Sequence, residues 1–171
     1  ILTEKIARRG YDLVEEYQVD PLERLHVREL MTRDVLSIPG AMPIREVLQK
    51  YFTGPHGHLA FPVLDGQGRL LGMLAARDVL ELRPEDLERS IVAADLVARH
   101  PQVAFPEETC RVAAERMALH DVGRLPVVEA GHPFQLVGII TRSDLLKPRV
   151  TEFLEEHRVE RILGPKPGAA P

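Results

Sequence analysis

The sequence predicts a mixed α/β (α+β) fold made of two tandem repeats, each with the core element order βαββα. The stretch Gly72–Asp78 (GMLAARD) recurs later in the chain as Gly138–Asp144 (GIITRSD). In both copies a short apolar segment and a turn come first, with Phe61–Leu64 in one copy and Leu125–Val128 in the other. Because similarity at a fixed spacing marks a repeated supersecondary unit, we divide the chain into two equivalent units.

The first unit combines a helical period of apolar residues with a hairpin signal. Ile44, Val47, Leu48 and Tyr51 recur at the spacing of one helix face. Asp65-Gly66 lies between two apolar runs and predicts a tight hairpin turn. The predicted elements are a helical turn at Val27–Met31, a strand at Val35–Ile38, a helix at Pro43–Phe52, strands at Leu59–Leu64 and Leu70–Leu74, and a helix at Ala76–Leu82.

The second unit repeats this order. Cys110, Ala113, Ala114 and Met117 share one face of its longer helix. The predicted elements are a helical turn ending at Val97, a strand at Gln102–Ala104, a helix at Pro106–His120, strands at Leu125–Glu129 and Gln135–Ile140, and a helix at Thr141–Lys147.

The domain boundaries follow from these units. We predict repeat 1 at 27–82, a connector at 83–92 and repeat 2 at 93–147. Residues 1–26 form a linker from a preceding part, 148–163 a C-terminal helix, and 164–171 a Pro/Gly-rich tail that we expect to be disordered.

Composition narrows the function class. The 171 residues are 44% hydrophobic, enough for one compact domain or two small ones that share a core. A net charge of −4 gives no support to nucleic-acid binding. The single cysteine, Cys110, excludes an internal disulfide and fits a reducing compartment. The longest apolar run, Leu70–Ala76, is too short to span a bilayer, and the start at Ile1 suggests a fragment of a larger protein.

The junction at Thr141 has the residue types of a nucleotide site. A strand that runs into a helix directs the free N–H groups of the helix at the gap between them, which suits a phosphate. The Thr141 hydroxyl can donate to a phosphate oxygen, and the Asp144 carboxylate can accept from two ribose hydroxyls. Thr-x-x-Asp is also the pattern of a helix-capping box, so a purely structural role stays open.

These repeated motifs resemble the CBS domain, and the two copies together resemble a CBS-domain pair, or Bateman module, over roughly Val27 to Lys147. Gly138, Thr141 and Asp144 match the family signature Gly-hydrophobic-x-Thr/Ser-x-x-Asp. The first copy keeps Asp78 but has Ala75 in place of the hydroxyl residue. The resemblance implies two copies packed sheet to sheet with pseudo-twofold symmetry and two clefts between them.

The resemblance also implies a regulatory adenine nucleotide (ATP, ADP or AMP) in the first cleft. Thr141 and Asp144 would hold phosphate and ribose, and Arg142 would reach a polyphosphate tail. The base would lie among residues at the starts of two strands: Leu36, Ser37, Ile38, His58, Leu59 and Ala60. The second cleft would use Asp78, Val103, Ala104 and Arg124, and we expect it to be empty or weak because Ala75 has no hydroxyl.

Other candidate sites have structural explanations. His56 and His58 lack a third ligand at suitable spacing, so we expect no metal. Cys110 lies on an apolar helix face and is interpreted as a packing thiol. Gly66-x-Gly68 lies in a hairpin and is a turn rather than a phosphate loop. We find no catalytic constellation and predict that the chain is not an enzyme.

Lys5–Asp12 and Asp20–Met31 resemble the link between the last membrane helix and the first CBS copy in prokaryotic ClC chloride channels and transporters. This implies a regulatory domain at the cytoplasmic face of the cell membrane, with the preceding transmembrane domain and a second copy of the chain as partners. Nucleotide binding would shift the arrangement of the two copies and so regulate transport. We expect dimer contacts on Pro43–Phe52 or Pro106–His120 and on Val150–Arg161.

Three alternatives stay open. The chain fits a regulatory module of an enzyme, a free-standing CBS protein, or a structural dimerisation domain without a ligand. The last fits if Thr141 and Asp144 form only a helix cap.

Overall fold

The computed structural model describes residues 20–53, 59–83, 85–86, 90–98, 100–130, 132–148 and 150–151, with the backbone alone at 132–134. The helices are α1 (Pro21–Arg24), α2 (Val27–Leu30), α3 (Ile44–Val47), α4 (Ala76–Leu80), α5 (Ala93–Leu96), α6 (Cys110–Leu119) and α7 (142–148). The strands are β1 (Ile38–Pro39), β2 (Ala60–Leu64), β3 (Leu70–Ala75), β4 (Arg124–Glu129) and β5 (His132–Thr141).

Several predicted features lie outside the described residues. They are His56 and His58, residues 1–19 of the predicted linker, the tail at 164–171, and all but the first two residues of the predicted helix Val150–Arg161.

The two units build equivalent sheets. In the first, β1 pairs in parallel with β2 (Ile38 opposite Val63), and β2 pairs antiparallel with β3. In the second, β4 pairs antiparallel with β5, and Ala104 forms an isolated parallel bridge with Val127. The mixed α/β fold is therefore as predicted.

The first strand of each unit is shorter than predicted. Val35–Ile38 is reduced to Ile38–Pro39, and Gln102–Ala104 to the single bridge at Ala104. In both segments the carbonyl just before the bridge accepts from a side chain and not from a neighbouring strand: Ser37 O from Tyr51 Oη (2.9 Å) and Val103 O from Arg116 Nη1 (2.6 Å).

Helix boundaries also differ from prediction. The helix expected from Pro106 begins at Cys110, with Thr109 as its N-cap. The helix at 44–52 is α-helical only over Ile44–Val47 and continues as a wider π-helical turn at Leu48–Phe52. In α7 Pro148 is itself helical, and residues 150 and 151 are helical too, so the predicted break at 147–148 is not seen.

Each unit's first helical turn docks on the other unit. Val27 N–H donates to Glu108 O (3.0 Å), and Ala93 N–H donates to Met42 O (3.0 Å). A second pair of bonds has the same symmetry: Cys110 N–H donates to Leu25 O (2.8 Å), and Ile44 N–H donates to Ile91 O (3.0 Å). In both pairs, the two donors occupy equivalent positions in the two repeats, and so do the two acceptors. Such reciprocal contacts are characteristic of twofold symmetry, here within one chain.

This exchange creates two mixed hydrophobic cores. Val27 is fully buried in a cluster with α6, β4 and β5, whereas Ala93 is fully buried among residues of α3, β2 and β3. Burial of apolar surface in both cores therefore requires the two units to stay together. No helix within the described ranges has the length and hydrophobicity to cross a bilayer.

Candidate functional site

The candidate functional site lies where β5 ends at Thr141 and α7 begins at the next residue. Thr141 Oγ1 donates to Asp144 Oδ2 (2.6 Å), and Thr141 N–H donates to the same oxygen (3.0 Å). Asp144 N–H donates back to Thr141 Oγ1 (3.3 Å). The capping box therefore forms. In this arrangement the acceptor of the Thr141 hydroxyl is a carboxylate oxygen 2.6 Å away, and the predicted contact with phosphate stays a prediction.

The second carboxylate oxygen has a different partner. Lys147 Nζ lies 2.7 Å from Asp144 Oδ1. The Asp144 side chain is 9% exposed, whereas that of Lys147 is 70% exposed. Asp144 therefore has one oxygen fixed by Thr141 and one oxygen held by a long, exposed side chain that can move. Capping and ribose binding use different oxygens and are compatible.

Hydrogen bonding determines the charge state of Asp144. Burial is the largest single influence and raises its pKa, but hydrogen bonds from Lys147 and Thr141 act in the opposite direction. Together they hold the pKa of Asp144 below its ordinary value. The carboxylate is thus ionised at neutral pH and able to accept hydrogen bonds.

We expect Asp144→Asn to destabilise the fold by about 1 kcal/mol at pH 7, in the range of a lost helix cap. A carboxyl with a lowered folded-state pKa stabilises the fold fully above its unfolded pKa of about 3.9, and this contribution disappears as the pH falls through the folded value. The difference in unfolding free energy between wild type and variant should therefore shrink below about pH 4. Urea denaturation at pH 7, 5, 4 and 3 measures it. A difference that stays constant would contradict the assignment.

Arg124 links this junction to the other unit. Arg124 is the strand partner of Thr141, and its Nη1 donates to Ala60 O (3.1 Å) at the start of β2. Arg124 was predicted for the second cleft, but its contact is with a residue predicted for the first. The structure thereby brings the Thr141 junction to the strand start where the base was expected.

The predicted base-binding residues differ in exposure. Leu36 and Leu59 are 44% and 69% exposed although both are large and apolar. Ser37 O accepts from Tyr51 Oη (2.9 Å). Ile38 is fully buried, main chain included, and pairs with Val63 in the sheet.

Arg142 is on the surface beside the junction. Its Nη2 lies 3.4 Å from Asp121 Oδ1, and both side chains are largely exposed. The Arg142 N–H donates to Gly123 O (3.0 Å), which fixes the backbone and leaves the side chain able to move. It can therefore reach an anion near α7.

The residues predicted for the second cleft have fewer groups that could bind a nucleotide. Asp78 Oδ2 accepts from Ala75 N–H (2.8 Å), but no hydroxyl fixes it as Thr141 fixes Asp144. The repeat equivalent of Lys147 is Glu81, which reverses the charge. Val103 O accepts from Arg116 Nη1 (2.6 Å). Ala104 is buried, and its N–H and C=O bond to β4.

Sequence reasoning missed Lys147 and the contact made by Arg124. An acid and a lysine three residues apart on a helix are a known pair, so Asp144 and Lys147 carried a readable signal. The Arg124–Ala60 contact joins residues 64 positions apart and has no local signal.

Cys110 has the character expected of a packing thiol. Cys110 is fully buried, and burial together with the nearby Glu29 charge raises the pKa of its thiol to about 11. It is therefore a packing residue rather than a nucleophile. Within the part of the chain that the structure describes, no three His, Cys, Asp or Glu side chains converge on a potential metal site.

Comparison with known sequences extends these observations. The CBS domain model matches residues 27–85 and 92–150. An uncharacterized protein of Methanocaldococcus jannaschii is 31% identical over 131 residues, which is 77% of this chain and 45% of that protein. A homoserine O-acetyltransferase of Methanohalobium evestigatum is 24% identical over 127 residues, 72% of this chain and 24% of that enzyme. The chain thus spans less than half the length of these curated relatives.

Two solved structures share the fold. CBSX2 in complex with AMP has a TM-score of 0.65 at 23% identity, over 75% of this chain and 98% of that one. The CBS domain of a bacterial CNNM/CorC family Mg²⁺ transporter in complex with ATP has a TM-score of 0.65 at 20% identity, over 75% of this chain and 89% of that one. The two matched segments cover more than half of the sequence. The chain therefore belongs to the CBS-domain family and carries its domains as a pair.

Proposed function

We propose that this CBS-domain pair is a non-catalytic regulatory module that binds an adenine nucleotide (ATP, ADP or AMP) between its two repeats. One observation carries the proposal: the buried Asp144 carboxylate is oriented by Thr141, while its other oxygen faces the exposed Lys147. An ionised, fixed carboxylate with one replaceable partner suits two vicinal hydroxyls, such as those of ribose.

Exposed apolar residues support a place for the base. Leu36 and Leu59 precede the neighbouring parallel strands β1 and β2, so these two exposed apolar residues lie at the same end of the sheet, and apolar surface grouped in this way suits a base. The Arg124–Ala60 contact connects this region to Thr141. Two structural relatives are described in complex with AMP and ATP, which supports an adenine nucleotide as the ligand.

The two candidate clefts differ at two positions, and both differences favour the cleft at Asp144. Leu36 corresponds to Gln102 in the second repeat, and Thr141 corresponds to Ala75 in the first. These differences favour one strong site per chain, with Asp78, Val103 and Ala104 at a weaker one.

Calorimetric titration of ATP, ADP and AMP into the chain tests the proposal. We expect binding of at least one nucleotide at one strong site, lost in Asp144→Ala and kept in Asp78→Ala. Asp78→Ala is a matched control because it removes the equivalent cap in the other repeat. Asp144→Asn is a second variant, which removes the charge of the side chain but keeps its size. Thermal melts confirm that each variant is folded. If none of the three nucleotides binds wild type, Thr141 and Asp144 are only a helix cap.

For the attached part, we propose a membrane anion carrier of the ClC type that the nucleotide regulates from the cytoplasmic face. Its support is the resemblance at Lys5–Asp12 and Asp20–Met31. The described part of that linker docks on the second repeat, since Leu22 is buried beside α6 residues. A nucleotide that favours one arrangement of the repeats would thereby act on the preceding chain. About ten long apolar segments encoded upstream would support this, and a catalytic domain would oppose it.

A second candidate is a regulatory module of an enzyme. The match to part of a homoserine O-acetyltransferase favours it. In either setting we propose a homodimer. Leu119 and Val112 of α6 are 82% and 40% exposed, which supports the predicted helix 106–120 as a contact.

A further inference from the structure

The Asp144–Lys147 pair is built asymmetrically. Two groups of Thr141 hold Oδ2, whereas Lys147 Nζ holds Oδ1 at 2.7 Å. Only the Lys147 side of the pair is exposed (70%, against 9% for Asp144), so the ammonium regains water when it leaves, but the carboxylate then needs another donor at Oδ1. A ribose hydroxyl can be that donor, while Thr141 keeps the orientation of the carboxylate.

The second repeat also carries cationic residues at positions where the first repeat has none. Arg142 is on the same helix start, and Arg124 is the strand partner of Thr141. In the first repeat the equivalents of Lys147 and Arg124 are Glu81 and Ala60. The first repeat has a cation at its own acid, with Arg77 Nε 3.7 Å from Asp78 Oδ1, but no lysine at the position of Lys147. The lysine contact with the carboxylate is therefore specific to the second repeat.

We propose that Lys147 determines the ligand class of this site: it holds Asp144 in the absence of nucleotide, gives way to the ribose hydroxyls, and then pairs with phosphate. The site would therefore take phosphorylated adenosines and discriminate against adenosine. This inference rests on the proposed function and adds to it the reason for a phosphate requirement.

The physical reason is competition for one oxygen. Adenosine must displace Lys147 from Oδ1 and gives the ammonium group no new anion. A nucleotide makes the same displacement but supplies a phosphate, with which a flexible lysine pairs as a point charge. Lys147 therefore opposes adenosine binding and assists nucleotide binding.

Calorimetric or fluorescence titration of adenosine, AMP and ATP into wild type, Lys147→Gln and Lys50→Gln tests the inference. We expect wild type to bind AMP at least roughly tenfold more tightly than adenosine. Lys147→Gln should weaken AMP and ATP binding by roughly fivefold and strengthen adenosine binding by about twofold. Lys50 pairs with Glu46 at 2.5 Å on another helix, so Lys50→Gln removes an equal charge and should change neither affinity.

Opposite shifts for adenosine and nucleotide are the decisive result, because simple damage to the site would weaken both ligands. Parallel shifts, or no shift, in Lys147→Gln would overturn the role of Lys147 while leaving nucleotide binding intact. If wild type binds none of the three ligands, the proposed function fails as well. Thermal melts check that the variants fold, which we expect because the Lys147 side chain is 70% exposed.

Discussion

Gly72→Ala is expected to destabilise the fold by about 2 kcal/mol, and Gly138→Ala by only about 1 kcal/mol, although Gly138 is the glycine of the full signature. A Cβ at 72 would lie 2.7 Å from Val97 Cβ and 3.1 Å from Ala98 O. Neither atom can rotate away, since one is attached directly to the backbone and the other belongs to it. The close contacts of the added Cβ can therefore be relieved only by a shift of the backbone segment that follows α5.

At position 138 the nearest atom to an added Cβ belongs to a flexible side chain. The added Cβ would lie 2.8 Å from Met31 Sδ and 3.0 Å from Thr32 O. The Met31 thioether can change rotamer, so only the backbone contact stays tight. Both glycines thus allow a segment of one repeat to approach a strand of the other.

Urea denaturation of the two variants measures these effects. Gly66→Ala is the control, because a Cβ there would meet no atom within 4 Å. Equal losses at 72 and 138, or a larger loss at 138, would show that the Val97 contact is not the limiting one.

Arg116→Met is the second substitution with a large expected effect, a loss of about 2 kcal/mol. Arg116 binds Glu108 through two nitrogens (2.6 and 3.0 Å) and also donates to Val103 O (2.6 Å). The Arg116 and Glu108 side chains are only 24% and 14% exposed, so removal of the guanidinium leaves a mostly buried carboxylate without its cation. Glu108 O in turn accepts from Val27 N–H, so the pair supports the docking of α2.

Chemical denaturation of Arg116→Met, Glu108→Gln and the double variant measures this coupling. The double variant should lose less stability than the sum of the two single losses, because the buried charge is then neutralised. Arg111→Met is the control: Arg111 pairs with Glu23 and Glu115 at the surface, where water screens the charges, so its loss should cost clearly less than the loss of Arg116. Additive losses in the double variant would show that Arg116 and Glu108 act independently.

The sequence by itself determined the elements whose bonds are local. The hairpin between β2 and β3 was predicted at Asp65-Gly66, where Asp65 Oδ1 accepts from the nearby Gln67 N–H and Arg69 N–H. Thr141 and Asp144 were predicted as a pair for the same reason, since they lie within one helical turn of each other. The repeat itself predicted that both halves would have the same order of elements.

Only the tertiary structure decided which half each segment packs on. The chain order places Val27 in the first repeat, yet its N–H bonds to Glu108 and its side chain lies in the core of the second. The Arg124–Ala60 contact and the close approaches at Gly72 and Gly138 likewise join distant positions. Local propensity and periodicity specify which face of an element is apolar. They do not specify which of two similar apolar faces will cover it, because burial is nearly non-directional and depends on the packing of the whole chain.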